Sequence, residues 1–253
     1  MLSRNKVVVL IMASRLFGYR GIQKQIEKKL LQFSYLPSKY FEALYIEYST
    51  KIPCHTLEIL EMEEKNVRNL LLKLMQDGQV DTKIEIEKFQ LFQRINEVLS
   101  KCKEVRLLLS EYAEQIVEEN YKRLLKLLKK ISETAKIMHE DVEALYDNYE
   151  LAMEKAAVLK EGCEKLLGEL YEFKFCDVEG KCEYSFEDPE VLIGNSLRDS
   201  LQEMSYVAEK VVHIVTTFSY KYNTKRPREK KSEKKQKEKK AKKKVGKEPK
   251  KNA

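Results

Sequence analysis

The fold of this chain is decided by residues 117–170, VEENYKRLLKLLKKISETAKIMHEDVEALYDNYELAMEKAAVLKEGCEKLLGEL. Counted in alternating steps of four and three, every position of this stretch is apolar or aromatic. The positions are Val117, Tyr121, Leu124, Leu128, Ile131, Ala135, Met138, Val142, Leu145, Tyr149, Ala152, Ala156, Leu159, Cys163, Leu166 and Leu170. A repeat of about 3.5 residues is typical of a coiled-coil seam, which must be buried against another helix. The pattern therefore predicts helical partners.

A second seam precedes this one, and its phase slips by one residue at Val117. It comprises Ile95, Val98, Cys102, Val105, Leu109, Tyr112 and Ile116. Such a slip either adjusts a supercoil or marks a turn into another helix. Because residues 95–160 contain neither Gly nor Pro, we expect one continuous rod over residues 95–172, on the order of 110 Å long.

The composition is that of a mostly α protein. Charged residues make up 35% of the 253 residues, with only 8 Gly, 5 Pro and no Trp, which favours long helices over a compact enzyme.

The charge is unevenly distributed along the chain. Residues 225–253 carry 16 Lys and Arg against 4 Glu, or +12, so the remainder carries −5 within a net charge of +7. We expect an acidic helical body with a basic tail.

Composition shifts and helix breakers divide the chain into six expected segments. They are an N-terminal helical segment (1–37), a winged-helix-like module (38–94), a long coiled coil (95–172), a hairpin or loop (173–194), a C-terminal helix that could fold back onto the rod (195–223) and a disordered Lys-rich tail (224–253). The breakers are the GYRG sequence at 18–21, Pro37 and the Asp188-Pro189 pair.

The winged-helix expectation depends on a change of period after Gly78. Residues 55–62 and 63–77 carry helical apolar patterns, and Gly78 is a typical helix stop. Residues 80–87 then alternate between apolar or Thr side chains and charged ones, which predicts a strand, and residues 89–92 could supply its return. Short helix, longer helix and strand pair is the order of a winged helix.

Residues 45–92 resemble the winged-helix half of a PCI domain, a module of proteasome-lid, signalosome and translation-initiation subunits. The resemblance rests on Leu57, Leu60, Val67, Leu71, Leu74, Gly78, Val80, Lys83, Ile84 and Glu85. It implies docking to other subunits, although only 44 residues precede the stretch, where that family carries a helical-repeat half. The order of segments also resembles the meiotic winged-helix and coiled-coil proteins that assist strand exchange.

A DNA-binding winged helix would use the cations of its second helix. Those cations are Lys65, Arg68 and Lys73. The acids Glu63, Glu64 and Asp77 balance them, so protein contact is favoured over DNA contact.

Motifs for catalysis, cofactors or metals are not found. The chain has no Gly-rich phosphate loop, and its three His residues are scattered. Cys176 and Cys182 are separated by five residues, which is not a usual zinc spacing. The odd number of cysteines favours reduced thiols. Whether Cys176 and Cys182 pair across a small hairpin stays open. We expect no enzymatic activity and no cofactor.

The basic tail is the other functional signal. Its cations include Lys225, Arg226, Arg228, Lys230, Lys231, Lys234, Lys235, Lys242, Lys243 and Lys244. Lys predominates and no aromatic residue is interspersed, which favours a nuclear import signal or non-specific contact with polyanions over base recognition. A purely solubilising tail and attraction to microtubules are alternatives.

The two ends of the chain bear on localisation. The apolar residues 7–13 are too few to span a bilayer. The first 26 residues carry five cations and no acid, so a mitochondrial presequence is an alternative to the nuclear location that the tail indicates.

These patterns together predict a non-enzymatic coiled-coil scaffold or adaptor subunit of a multiprotein complex in the nucleus. The aromatic Tyr121 and Tyr149 fit poorly in a simple parallel dimer, so a hetero-oligomer is favoured over a homodimer. One alternative is a DNA-binding recombination or chromatin accessory protein that uses the winged helix and the tail. Another is a cytoskeletal or ciliary coiled-coil protein.

Overall fold

The computed structural model of the protein describes residues 4–77, 83–172 and 188–223. Within these ranges the chain forms six α-helices, one short 3-10 turn at Ala113–Gln115 and no strand. The helices are α1 (Arg4–Thr50), α2 (His55–Asp77), α3 (Lys83–Tyr112), α4 (Glu118–Asp147), α5 (Tyr149–Glu172) and α6 (Pro189–Asn223). The expectation of a mostly α protein is confirmed.

Five of the helices close into a ring around one apolar core. α1 packs on α4, α4 on α5, α5 on α6, α6 on α3, and α3 returns to α1. The first four of these pairs are antiparallel, as their side-chain contacts show. α1 and α3 are parallel, since Glu27 bonds Lys88 and Phe33 contacts Phe92. α2 lies outside the ring on α1. The heptad pattern is therefore buried within one chain.

The expected continuous rod over 95–172 is wrong, because the chain reverses direction at Asn148. This residue has an extended backbone between α4 and α5. Its carboxamide oxygen accepts hydrogen bonds from the N–H groups of Glu150 and Leu151 at 3.0 and 3.4 Å. Asn is one of the best residues at this position because it satisfies N–H groups that a new helix leaves free. Asn148 thus ends one helix and caps the next without Gly or Pro.

The phase slip at residues 116–117 also marks a break between helices. Ile116 and Val117 have extended ψ angles of 131° and 138°. The backbone N–H of Val117 and the amide of Asn120 donate hydrogen bonds to the Glu190 carboxylate from α6. A carboxylate near a helix N-terminus is stabilised by the helix dipole. The cap comes from a residue distant in sequence, which local patterns do not reveal.

The predicted strand pair is wrong over residues 83–92, which belong to α3. Leu91 and Phe92 are buried, and they continue the helical spacing of Ile95, Val98 and Leu99. Their burial in the core, where Phe92 contacts Phe33 of α1, outweighs the alternation that residues 80–87 show locally. Residues 78–82, where the first strand would begin, lie outside the described residues.

Two expected interruptions are absent because α1 continues through both of them. α1 runs through the GYRG sequence and through Pro37. A Pro inside a helix costs roughly 3 kcal/mol, and the buried Leu36, Tyr40 and Phe41 around it offset that cost. Pro189 is the first residue of α6, a position where its missing N–H is not needed, so this helix starts six residues before the expected boundary at 195.

Several predictions fall outside the described residues. They are the hairpin with Cys176 and Cys182, the early part of the 173–194 loop, and the Lys-rich tail with all ten of its named cations. Among the described helices, none combines the length and the apolar character that a membrane span needs.

Candidate protein-interaction surface

The seam of α4 and α5 is closed within the chain. Its residues from Leu124 to Leu170 are all buried except Tyr149, which is partly buried. Tyr121 is partly buried, and its hydroxyl donates a hydrogen bond to the Tyr48 carbonyl at 2.7 Å. Val117 is 49% exposed at the break before α4. Because the seam has its neighbours in α1, α5 and α6, a partner protein needs another surface.

That other surface begins with α2. One side of this helix is buried against the bundle, and the opposite side is exposed to solvent. Ion pairs fix its first half to α3. Glu64 is buried and bonds Lys103 at 2.7 Å, and Arg106 bonds Glu61 at 2.6 Å. Further along, Arg68 pairs with Glu64 at 3.3 Å. The pairs connect residues 61 and 64 to 106 and 103, so the two helices run antiparallel.

A groove of about 720 Å³ lies over the first half of α3. Its floor consists of α3 residues 89–97, with Arg68 and Leu72 of α2 on one side and Lys210 of α6 on the other. Phe92 is buried beneath it, while Leu72 and Phe89 are partly buried. Its volume lies within the range of typical ligand pockets, and helices from three parts of the sequence form it.

The cations of the groove are already neutralised by carboxylates. Arg94 bonds Glu203 at 3.1 Å, and its guanidinium lies 4.9 Å from the centre of the Tyr206 ring. Lys210 contacts both Glu87 and Gln90. Since Arg68 is also paired, the groove offers little net positive charge, and a phosphate would compete with three acids.

The remaining groups of the groove suit a polypeptide. Gln90, Gln93 and Asn96 each carry a carboxamide, which can donate and accept hydrogen bonds with backbone or polar side chains. Leu72 and Phe89 supply apolar surface beside them. An amphipathic helix could place an apolar side chain on this pair and its polar flank on the carboxamides.

The three cations expected to contact DNA do not form one free patch. Lys65 and Lys73 are exposed, and no ion pair holds either of them in the part of the chain that the structure describes. Arg68 is half-buried in the groove wall and engaged by Glu64. The acids that balance this helix include Glu64, which is directed to α3 instead of solvent.

Ser34 of α1 and His139 of α4 form a pair that joins the two helices and does not resemble a catalytic pair. The Ser34 hydroxyl donates to the Leu31 carbonyl at 2.9 Å and lies 2.9 Å from Nδ1 of His139. The hydroxyl has one proton, and with that proton donated to Leu31 the contact with His139 requires Nδ1 to be the donor, so Nδ1 does not act as a base toward Ser34 in this arrangement. Ser34 is fully buried, and burial lowers the pKa of His139. The pair joins two helices and has no access to a substrate.

The most perturbed acid is Asp141, on the α5 side of α4. It is fully buried, and neither carboxylate oxygen has a hydrogen-bond partner within the described residues. Burial raises the pKa of Asp141 to about 8, although Lys155 opposes the shift. Lys155 itself bonds Glu140 at 2.5 Å. Asp141 is enclosed by the bundle, so its perturbed pKa affects stability and gives no site for a substrate.

The described thiols and acids form no metal site. Cys54, Cys102 and Cys163 are free thiols, and burial raises the pKa of Cys163 to about 12. No cluster of three or more His, Cys, Asp or Glu residues suited to a metal ion occurs within residues 4–77, 83–172 and 188–223.

Comparison with known proteins adds no relative to this description. No family model, curated protein or solved structure matches the chain. The function must therefore be inferred from the surface itself.

The groove residues Gln90, Gln93 and Asn96 were missed by the sequence patterns. The strand prediction assigned residues 89–92 to the wrong period. A signal was present, since the spacing of Ile95, Val98 and Cys102 can be continued upstream to Leu91. That continuation places Gln93 and Asn96 on the opposite, solvent-facing side of a helix.

Proposed function

We propose that this protein is a non-enzymatic scaffold or adaptor subunit of a multiprotein complex, and that the groove over α3 binds a helix of another subunit. The observation that carries the proposal is the groove itself: about 720 Å³ lined by carboxamides, two apolar side chains and neutralised cations. This chemistry favours a protein segment over a phosphate or a small charged substrate.

Two further observations support a hetero-assembly. The seam residues are buried against other helices of the same chain, so a partner does not have to supply a matching heptad repeat. The groove is a concave surface lined by residues of three helices, so the same groove on a second copy cannot fill it. The likeness of residues 45–92 to the winged-helix half of a PCI domain stays a prediction, and residues 83–92, where a winged helix has strands, belong to α3.

The Lys-rich tail adds a second, sequence-independent interaction in this proposal. With 16 cations in residues 225–253, it would serve nuclear import or contact with polyanions. Contacts of the tail are sensitive to salt, whereas contacts in a partly apolar groove are less so. Salt therefore separates the two interactions experimentally.

The test is affinity purification of the full-length protein from its own cells, with a high-salt wash and quantitative mass spectrometry. The groove variant is Gln93→Arg, because Gln93 is exposed on the floor and a longer cation would obstruct a docked helix. The matched control is Gln25→Arg on the exposed side of α1. Both substitutions are the same chemical change on a helix surface, so neither should alter folding.

We expect salt-resistant partners that are reduced at least tenfold with Gln93→Arg and unchanged with Gln25→Arg. Partners that survive salt but are equally abundant with both variants would contradict the groove as their binding site. If the salt wash removes every partner, the tail carries all binding and the scaffold proposal fails.

DNA binding is the second candidate, and the observation that favours it is the exposure of Lys65 and Lys73 on α2, which have no ion pair with any residue that the structure describes. If these cations contact phosphates, replacing both with Glu should weaken DNA binding beyond the effect of deleting residues 224–253. Fluorescence anisotropy with a duplex at two salt concentrations measures this. The scaffold proposal expects no difference between the tail deletion with and without the two substitutions.

A further inference from the structure

The outward face of α2 carries a second row of apolar residues. We call Ile59, Met62, Asn66, Leu70 and Lys73 the outer stripe. Ile59, Met62 and Leu70 are 56%, 62% and 48% exposed. Helical spacing puts these residues on the side of α2 opposite the buried row that packs on α1. Three large apolar side chains in one line on the outermost helix form a surface that another helix can cover.

The outer stripe is nearly symmetric about its central residue. Ile59 and Lys73 lie seven residues before and after Asn66, and Met62 and Leu70 lie four before and after it. If a second α2 is placed antiparallel with Asn66 at the crossing, each residue faces its counterpart. Met62 then packs on the partner's Leu70, and Ile59 on the aliphatic stem of the partner's Lys73.

We propose that the outer stripe binds the outer stripe of a second copy of this chain, antiparallel, around a two-fold axis at Asn66. A two-fold interface requires a surface that complements itself, and the stripe meets this requirement through its spacing and its charges. Asn66 faces Asn66 across the axis, where two carboxamides can satisfy each other's donors and acceptors. A polar residue at the centre of an apolar contact also fixes the register.

Charge selects the antiparallel arrangement. The first half of the stripe is flanked by Glu58 and Glu63, and the second half ends in Lys73. In the antiparallel pair, Lys73 of one copy reaches Glu58 and Glu63 of the other. A parallel pair would place Lys73 against Lys73 and Glu58 beside Glu63, and like charges at such distances repel.

This inference goes beyond the proposed function, because pairing of α2 neither fills nor needs the groove over α3. Residues of the groove wall, Arg68 and Leu72, lie on a different side of α2 from the stripe. A dimer would carry two grooves. Gln93→Arg should accordingly leave self-association unchanged, which keeps the two proposals separable.

The first test is sedimentation velocity of the full-length protein over a concentration series up to about 100 μM, since a single helix contact is small compared with stable interfaces. We expect a monomer–dimer equilibrium. Met62→Glu should shift it at least tenfold toward monomer. The matched control is Met153→Glu, at a methionine of α5 that is 37% exposed, and it should have no effect.

The second test distinguishes an antiparallel pair of α2 helices from a parallel pair. Lys73→Glu should abolish the dimer, and combining it with Glu58→Lys and Glu63→Lys should restore it. In a background with Cys54, Cys176 and Cys182 changed to serine, Asn66→Cys should form a disulfide-linked dimer. Lys73→Cys should not, because the two sites would be about 21 Å apart.

Three results would overturn the proposal. The first is a protein that is monomeric throughout the concentration series. The second is a dimer that Met62→Glu leaves intact, since another surface would then form it. The third is a disulfide-linked dimer of Lys73→Cys, which would indicate a parallel pair.

Discussion

The α4–α5 seam and the outer stripe of α2 carry the same kind of pattern and have opposite surroundings. Both present apolar side chains at helical spacing, but Leu128 is fully buried and Met62 is 62% exposed. α4 and α5 have neighbouring helices on both flanks, whereas α2 packs on α1 and contacts α3 mainly through ion pairs. An apolar repeat indicates that a neighbour is needed, and the arrangement of the helices decides whether the same chain supplies it.

The largest expected contrast is between two leucines that each lie on an apolar row. Leu128→Ala should lower the free energy of unfolding by about 2–5 kcal/mol, because it leaves a cavity in the core. Leu70→Ala on the outer stripe should change it by less than about 0.5 kcal/mol, since this side chain is half exposed. Urea unfolding at low protein concentration measures both. Equal losses would show that the stripe is part of the folded core.

The second prediction concerns Asp141, a fully buried residue of α4. The pKa of this carboxyl is raised from 3.8 to about 8 in the folded protein. Between these values the unfolded chain is ionised while the folded protein keeps the proton, so stability falls as pH rises. Asp141→Asn removes this titration. Its stability relative to wild type should increase between pH 4 and pH 8, on the order of 5 kcal/mol in total.

The control for this prediction is Asp147→Asn at the exposed end of α4. Urea unfolding in steps of one pH unit compares the two variants with wild type. Asp147→Asn should follow the wild-type curve. A constant offset between Asp141→Asn and wild type at all pH values would show that Asp141 is ionised in the fold and that the bundle admits water there.

A smaller effect is expected at the ion pairs that attach α2 to α3. Glu64→Gln should destabilise the protein by about 1–2 kcal/mol, because Lys103 and Arg68 lose a buried partner but remain partly exposed themselves. Glu133→Gln, at an exposed glutamate of α4, should have almost no effect. If the two variants unfold alike in a thermal scan, the ion pair does not hold α2 in place.

The helices of this protein follow from the sequence more readily than their arrangement. The seam positions from Leu124 onward mark residues that become buried, because a 3.5-residue period reports which side of a helix avoids water. The period does not report whether the neighbour belongs to the same chain. The reversal of the chain that lets α5 pack on α4 occurs at Asn148. Asn148 caps α5 there, without the Gly or Pro that usually marks the end of a helix.

The other wrong predictions also came from local sequence patterns that packing between helices overrides. Residues 83–92 alternate like a strand over a short distance, and burial of Leu91 and Phe92 in the core favours a helix instead. Pro37 predicts a boundary from local geometry, and burial on both sides carries α1 through it. The groove was unpredictable for a further reason. Its walls come from α2 and α6, which are separated by more than 100 residues along the chain, and no local pattern connects them.

The heptad seam closes inside one chain as a hairpin of α4 and α5. The most direct test is the distance between spin labels at Lys129 and Gly168, exposed positions on the two helices near the Lys130–Glu169 ion pair. Labelled protein is diluted with unlabelled protein so that only distances within one chain contribute. The hairpin predicts a distance below about 25 Å. A distance near 60 Å, the length of 39 residues in one straight helix, would show a continuous rod and contradict the account.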